Sequence, residues 1–294
     1  MTPPLLVLGN VNVDLVLGPV AGWPAIGTEV EVDRAETRAG GSAGNTALAL
    51  AGLNEPHLLI ASTGDDPNGA FLRGEFRDEW SDWIIDPGPT TLTVGIVHEG
   101  GDRAFFTTPG HLQRADAATL MRRVPPAPHA GAIAILSGGL LMPDIRDGTS
   151  FILAELKRRG WMTAIDPGWP PQGWSEETHA LIADWLAVSD YALINEEEMA
   201  ALSQGKGSSV GSMRPDAVLV VKRGPGGVSA ITNGVEITVP APQVRVVDTV
   251  GAGDTFNAAF LAARVAGKPL DEALASGVAV ASRAVSTYPR RYTE

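Results

Sequence analysis

Apolar and polar positions follow two rhythms along this chain, and the rhythms separate two kinds of element. Short runs rich in Val, Ile and Leu stop abruptly at glycine or polar clusters: LLVLGNVNVD (5–14), GAIAILSGG (131–139), WMTAIDPG (161–168), YALINEEE (191–198) and AVLVVKRG (217–224). Runs this short and this uniformly apolar predict strands buried on both faces. Helical periodicity lies between them. SFILAELKRRG (150–160) predicts a helix with Phe151, Ala154 and Leu156 on one side, a basic last turn and Gly160 to close it. THALIADWLAVSD (178–190) predicts another, with Leu181, Ile182, Trp185 and Leu186 inward. Strand–helix alternation of this kind implies right-handed βαβ units and an α/β fold with a mostly parallel sheet.

Two stretches break the alternation. GTEVEVDRAETRAGG (27–41) alternates polar with apolar, and TTLTVGIVHEGGDRAFFTT (90–108) predicts a hairpin turning at Gly100 and Gly101. Both predict antiparallel, half-exposed strands forming a small β lid on the α/β body. PPAPH (125–129) is a Pro-rich connector, and SQGKGSSVGS (203–212) predicts a flexible surface loop. Ligands of open α/β sheets bind outside the carboxyl ends of the strands. Asn12, Asp14, Ser137, Asp166, Asn195, Glu198, Lys222 and Gly224 stand at those ends. In INEEE, Asn195 and Glu198 are one helical turn apart and share a face.

Composition narrows the chemistry. A formal net charge of −12 argues against nucleic acid and anionic membrane surfaces as partners. The absence of cysteine excludes disulfides and thiolate metal sites. No apolar run is long enough for a membrane span, and MTPPLLVLGN is not a signal peptide. A cytoplasmic location is the expectation. Phosphate can still bind an acidic protein through backbone N–H groups.

DTVGAGDTF (248–256) has the local form for that. Phe256, Ala259, Phe260 and Ala263 continue it with helical spacing, and Gly267 and Pro269 end the helix. The Gly251–Ala252–Gly253 loop therefore lies at a helix N-terminus, where unpaired amides face outward. Two readings of Asp254 stand on these residues: a helix cap, or a base held beside an anion hole. No Walker sequence is present, since GKG at 205–207 lacks the hydroxyl residue, and GNVNVD after the first strand is not G-x-G-x-x-G. His57, His98, His111, His129 and His179 form no metal-ligand spacing and are expected at the surface or in loops. AGGSAGNTALALAGLN (39–54) leads a Gly-Gly turn into a helix patterned by Ala47, Leu50 and Ala51, with Asn45 near its start.

These two glycine clusters carry a resemblance. GGSAGNTALALAGL is similar to the N-terminal signature of the PfkB family of carbohydrate kinases, and DTVGAGDTFNAAFLA to its C-terminal one, with an N-x-x-E motif before it. The resemblance runs nearly end to end. It implies a ribokinase-like, three-layer Rossmann-like sheet, a single kinase domain over 1–294, and a lid built from about 12–40 and 88–110. It further implies ATP- and Mg²⁺-dependent phosphorylation of a hydroxyl on a sugar or nucleoside. Asp254 is then the catalytic base and Gly251, Ala252 and Gly253 the anion hole. Asn195 and Glu198 organise Mg²⁺ and phosphates, and Lys222, Gly224 and Gly227 meet the nucleotide. Asn12, Asp14, Gly40, Gly41 and Asn45 grip substrate hydroxyls. In several family members paired lids join a homodimer.

The chain also departs from the family pattern. Val278 replaces a common Asn near the adenine, Ser42 stands where ribokinases tend to have Lys, and DPGWPPQGW lacks the Asn and Arg of D-P-N-x-R. STYPRR replaces the Gly-Ala that often follows the last helix. That segment and Asp248 would build the family's monovalent-cation site, so the departure weighs against a K⁺ requirement. No cluster of Arg or Lys suggests a second phosphate on the substrate, and Arg34, Arg38 and Arg103 read as solvent-facing strand charges. The expectation is a kinase of an unphosphorylated sugar of ribose, fructose or sugar-acid type. A nucleoside kinase is the alternative, with Phe105 and Phe106 available to stack a base or fill the lid's inner face. A non-catalytic ligand-binding or regulatory protein of the same fold is the alternative of another class.

Overall fold

A computed structural model of the chain describes residues 2–99, 103–203 and 209–293. In spatial order its large sheet runs β13 (Val235–Val239), β12 (Val228–Thr232), β11 (Val218–Lys222), β10 (Tyr191–Asn195), β9 (Met162–Asp166), β8 (Ile133–Ser137), β1 (Leu5–Gly9), β4 (His57–Gly64) and β5 (Ser81–Asp86). Every pairing from β11 to β5 is parallel, and only β12 and β13 run antiparallel, at one edge.

Successive strand residues face opposite sides, so each apolar run feeds two cores. Leu5 and Val7 pack with Ala47, Leu50, Phe256, Phe260 and Leu274 of α1 (Ser42–Gly52), α7 (Ala252–Val265) and α8 (Leu270–Ser286). Leu6 and Leu8 pack on the other face with Leu120, Leu153, Ile182 and Leu202 of α3 (Ala117–Arg123), α4 (Pro143–Arg158), α5 (Glu176–Val188) and α6 (Glu196–Ser203). Helix, sheet and helix make three layers, and α2 (Pro67–Glu75) adds Leu72 to the first core.

A second sheet is ordered β3 (Arg34–Gly40), β2 (Asn12–Val20), β6 (Leu92–His98) and β7 (Arg103–Thr107). It is antiparallel at both edges, with β2 and β6 parallel at its centre.

Several expectations are corrected. The run 5–14 is not one strand: it breaks at Asn10, and Asn12 and Asp14 belong to the small sheet. Asn10 is diverted to α1, whose first amides need acceptors. Its Oδ1 accepts from Ser42 N at 3.0 Å and its carbonyl from Gly44 N at 3.3 Å. In the stretch 27–41 only Arg34–Gly40 is strand. Pairing stops at Gly18–Arg34, next to Pro19, which has no N–H to offer.

The predicted inward face of α4 holds for Leu156 but not for Phe151 and Ala154. Ile145, Thr149, Ile152, Leu153 and Leu156 turn inward, Ala154 is exposed, and Phe151 is 57% exposed. The helix begins at Pro143, and its earlier turns set a phase that the window from 150 onward cannot show. His57 and His111 are buried rather than at the surface. His111 Nδ1 accepts from Thr91 N at 3.0 Å and Nε2 meets Val11 O at 3.1 Å. It thus ties together the two crossings into the small sheet, and burial lowers its pKa to about 4. The expected turn at Gly100 and Gly101, and residues 204–208 of the expected surface loop, lie outside the described residues.

Candidate active site

The carboxyl ends of β8 to β11 and the N-terminus of α7 meet at one edge of the large sheet. Gly251 is the N-cap of α7, with φ of 71°, a left-handed conformation that glycine adopts without strain. The first intrahelical bond is Thr255 N to Gly251 O, 2.9 Å, so the Gly253 and Asp254 amides precede any helical acceptor. Ala252 N, expected in the anion hole with Gly251 and Gly253, donates to Thr249 O at 3.2 Å.

Asp254 is half-buried. Burial, reinforced by the negative charge of Asp166, raises its pKa to about 7 against the pull of Lys222 and a bond from Asn45. That bond runs from Asn45 Nδ2 to Asp254 Oδ2, 2.9 Å, and joins residues 209 positions apart. The N-cap of α7 is Gly251, and Asp254 stands within the first turn, so Asp254 is not the cap residue.

Lys222 ends β11 and points across the sheet edge. Its Nζ donates to Asp166 Oδ2 at 2.8 Å and to Asn257 Oδ1 at 3.2 Å, while Asn257 Nδ2 donates to Asp166 Oδ2 at 2.6 Å. Burial works against the ammonium, yet Asp166, Glu198 and Asp254 hold its pKa above the ordinary lysine value. Glu198 is pushed up to about 7, by burial first and by repulsion from Asp166. Asp166, Glu198 and Asp254 thus share one lysine, a surplus of negative charge. Asp166 was expected only as one of the polar groups at the strand ends, with no role assigned, and Asn257 was not expected at the site at all. Their signal was available: Asp166 closes a buried strand, and Asn257 lies in the DTVGAGDTFN motif itself.

Asn195 and Glu198 bind each other. Glu198 N donates to Asn195 Oδ1 and Asn195 N to Glu198 Oε2, both at 2.8 Å, a reciprocal capping box that opens α6. Gly224 and Gly227 lie on the turn beyond Lys222, Gly224 exposed and Gly227 buried.

The expected substrate residues form a second group at the mouth of the small sheet. Asn12 Nδ2 donates to Asp14 Oδ1 at 2.7 Å and to Thr93 Oγ1 at 3.1 Å. Burial raises the Asp14 pKa to about 6, opposed by Arg38 and Asn12. The Gly-Gly pair is a steric requirement: a Cβ on Gly40 would lie 2.1 Å from Asp14 Oδ2, and one on Gly41 2.8 Å from Asn12 Oδ1. Gly41 also has φ of 83°.

Arg34 and Arg38 are not solvent-facing. Arg38 Nη1 reaches Asp248 Oδ2 at 2.7 Å, Arg290 Nη2 at 3.3 Å and Arg34 Nη2 at 3.6 Å. Burial opposes ionisation of Asp248, but the Arg38 bond, the Val250 amide and the guanidinium charges bring its pKa down to about 2. The cationic cluster that the linear sequence lacked is therefore built by folding. The side chain of Arg103 lies outside the described residues. Phe105 and Phe106 are 55% and 56% exposed, so neither is packed away in a lid interior.

Comparison with known proteins identifies the family. Residues 4–291 match the family model described as pfkB family carbohydrate kinase. The chain is 29% identical over 275 residues to the ATP-dependent ribose-1-phosphate kinase of Halopiger xanaduensis, covering 92% of this chain and 88% of that one. It is 30% identical over 236 residues to a fructokinase of Klebsiella pneumoniae, 76% of each chain. The solved structure of Arabidopsis thaliana ribokinase complexed with ribose and ATP superimposes with a TM-score of 0.75 at 24% identity, covering 98% of this chain and 94% of that one. The chain belongs to the pfkB family of carbohydrate kinases, with the ribokinase fold. It is a phosphotransferase with an alcohol group as acceptor. Among the described residues no helix is long and apolar enough to cross a membrane.

Proposed function

We propose that this kinase transfers the γ-phosphoryl group of Mg·ATP to a hydroxyl of a small sugar, with Asp254 as base. The observation that carries the reading is Asp254 itself: a carboxylate with pKa about 7, fixed by Asn45 at 2.9 Å, next to first-turn amides that lack helical acceptors. A base is most effective when its pKa lies near the working pH. Amides and the positive end of the helix dipole stabilise charge on a transferring phosphoryl group. Lys222, kept protonated by its carboxylates, adds a fixed positive charge beside Gly253, where a Cβ would stand 3.3 Å from Nζ.

The donor set fits Mg²⁺. Among the described residues no three His, Asp or Glu side chains converge as a complete metal cage, and Mg²⁺ in kinase sites is held by one or two carboxylates plus substrate phosphates. Glu198 and Asp166 would hold it here, relieving their mutual repulsion. Bound there, the ion would neutralise charge on the phosphates.

Asn12, Asp14 and Asn45, spaced by Gly40 and Gly41, bind and orient the sugar hydroxyls. Enclosure by the small sheet keeps water from competing for the phosphoryl group. A second reading of the substrate has its own support. Arg38 Nη2 is buried without a hydrogen-bond partner among the described residues, opposite Asp14 in the β2–β3 register. A sugar that already carries a phosphate or carboxylate would use that donor, and the ribose-1-phosphate kinase of H. xanaduensis bears a name of that type. Exposed Trp23, Ile26, Phe105 and Phe106 on the small sheet and its connection support a homodimer joined through the lid.

The test is ADP release from Mg·ATP over free sugars, sugar acids, ribose 1-phosphate and nucleosides, for the native chain and Asp254→Asn. Turnover of a sugar that Asp254→Asn abolishes, with ATP affinity nearly unchanged by calorimetry, supports the reading. Activity surviving in Asp254→Asn refutes the assigned base, and a nucleoside as best acceptor refutes the substrate class.

A further inference from the structure

The loop that carries the anion-hole amides is held by a side chain from the far end of the chain. Asp248 Oδ1 accepts from Val250 N at 2.9 Å, fixing the start of the loop. Arg290 Nη2 donates both to Asp248 Oδ2 and to the Val250 carbonyl. A Cβ on Gly251 would come within 3.2 Å of Arg290 Nη1, so the guanidinium lies directly against the loop backbone. From the opposite side Arg38 of β3 reaches the same Asp248 oxygen at 2.7 Å. Arg34 stands 3.6 Å from it and is also paired with Glu36.

This is the place where the family resemblance puts a monovalent cation, and the residues present do not fit one. Such an ion needs oxygen ligands. Asp248 Oδ2 and the Val250 carbonyl are both taken by guanidinium N–H groups. Arg34, Arg38 and Arg290 already surround Asp248 with positive charge, which they share with Glu36 and Asp14. A further cation would have to displace a guanidinium from these oxygens.

We propose that Arg290, braced by Arg38 across Asp248, is a positioning residue that takes over the work of the monovalent cation, so that turnover needs no K⁺. The inference rests on the kinase reading above. A tethered guanidinium is charged at every working pH and presents several N–H groups in a planar fork. It bonds carboxylate and carbonyl together and holds the anion-hole loop in one geometry whatever the salt. Arg38 lies on the small sheet and Asp248 on the body, so the same cluster also fastens the lid strand to that loop.

The experiment compares the full-length native chain with Arg290→Ala and Arg290→Lys in KCl, NaCl and tetramethylammonium chloride at one ionic strength. Native turnover is expected to be equal in all three salts. Arg290→Ala is expected to lose kcat by about 10²-fold, the size of one lost oxyanion donor, with sugar KM little changed. Its kcat is expected to recover partly with K⁺ or low millimolar guanidinium, and Arg290→Lys to stay K⁺-independent. Melting temperature with ADP is the readout independent of turnover: K⁺ should raise it in Arg290→Ala and leave the native chain unmoved. Native activity or melting that K⁺ raises selectively overturns the proposal. So does an Arg290→Ala protein that folds but responds to neither ion. If Arg290→Ala fails to fold, the native chain and Arg290→Lys decide. If no acceptor is phosphorylated at all, the kinase reading fails separately, and the melting arm still tests the replaced cation.

Discussion

Replacing Asn45 by Leu removes one hydrogen bond from the Asp254 carboxylate and keeps the side chain's bulk. The bond is 2.9 Å long and runs from Nδ2 to Oδ2, so it favours the ionised form of Asp254 over the protonated one. A hydrogen bond to a charged group contributes about 1.5–3 kcal/mol. Asp254 is only half-buried and water recovers part of that, so the lower end applies. At about 1.4 kcal/mol per pKa unit, roughly 1.5 kcal/mol corresponds to about one unit. Asp254 should therefore titrate near 8 in Asn45→Leu, roughly one unit above its native value of about 7.

The base must be ionised to act, so kcat/KM rises with pH through its pKa. At pH 7 the ionised fraction falls from about a half to about a tenth, a roughly fivefold loss from titration alone. Above pH 9 this component disappears and leaves only the pH-independent cost of the lost hydroxyl contact. Lys222 titrates above the ordinary lysine value and does not interfere in this window. Glu198 also titrates at about 7, so each acid limb belongs to the cluster. The difference between the two profiles isolates the Asn45 contribution. The assay is kcat/KM from pH 5.5 to 9.5 for both proteins. Profiles that superimpose after vertical scaling would refute the claim that Asn45 sets the charge state of Asp254.

Two other substitutions test the packing. Gly40→Ala places a Cβ 2.1 Å from Asp14 Oδ2 and must displace that carboxylate. Sugar KM should rise about tenfold or more, roughly 1.4 kcal/mol of binding, with ATP affinity by calorimetry unchanged. Leu153→Ala should cost about 2–5 kcal/mol in urea unfolding, as for other fully buried leucines. Phe151→Ala, on the exposed side of the same helix, should stay within about 0.5 kcal/mol.

The parts of this protein that the sequence by itself determined are those written in short-range physics. A strand buried on both faces has no polar side to show, so β1, β8, β10 and β11 appear as apolar runs, and β9 as one interrupted only by Thr163. A glycine turn before an apolar helical period is a local signal, so the start of α7 at Gly251, with Asp254 in its first turn, could be read directly. Asn195 and Glu198 are three residues apart, and their reciprocal bonds are equally local.

Tertiary structure decided what depends on partners far along the chain. Asn12 and Asp14 left the first strand for the small sheet because Asn10 was needed to cap α1, a demand invisible within residues 5–14. The face of α4 followed from where the helix begins. Lys222 and Asp166 are 56 positions apart, and Arg38 and Asp248 are 210. A linear search for basic clusters could not bring three arginines to one carboxylate, because electrostatic attraction acts through space and takes no account of separation along the chain.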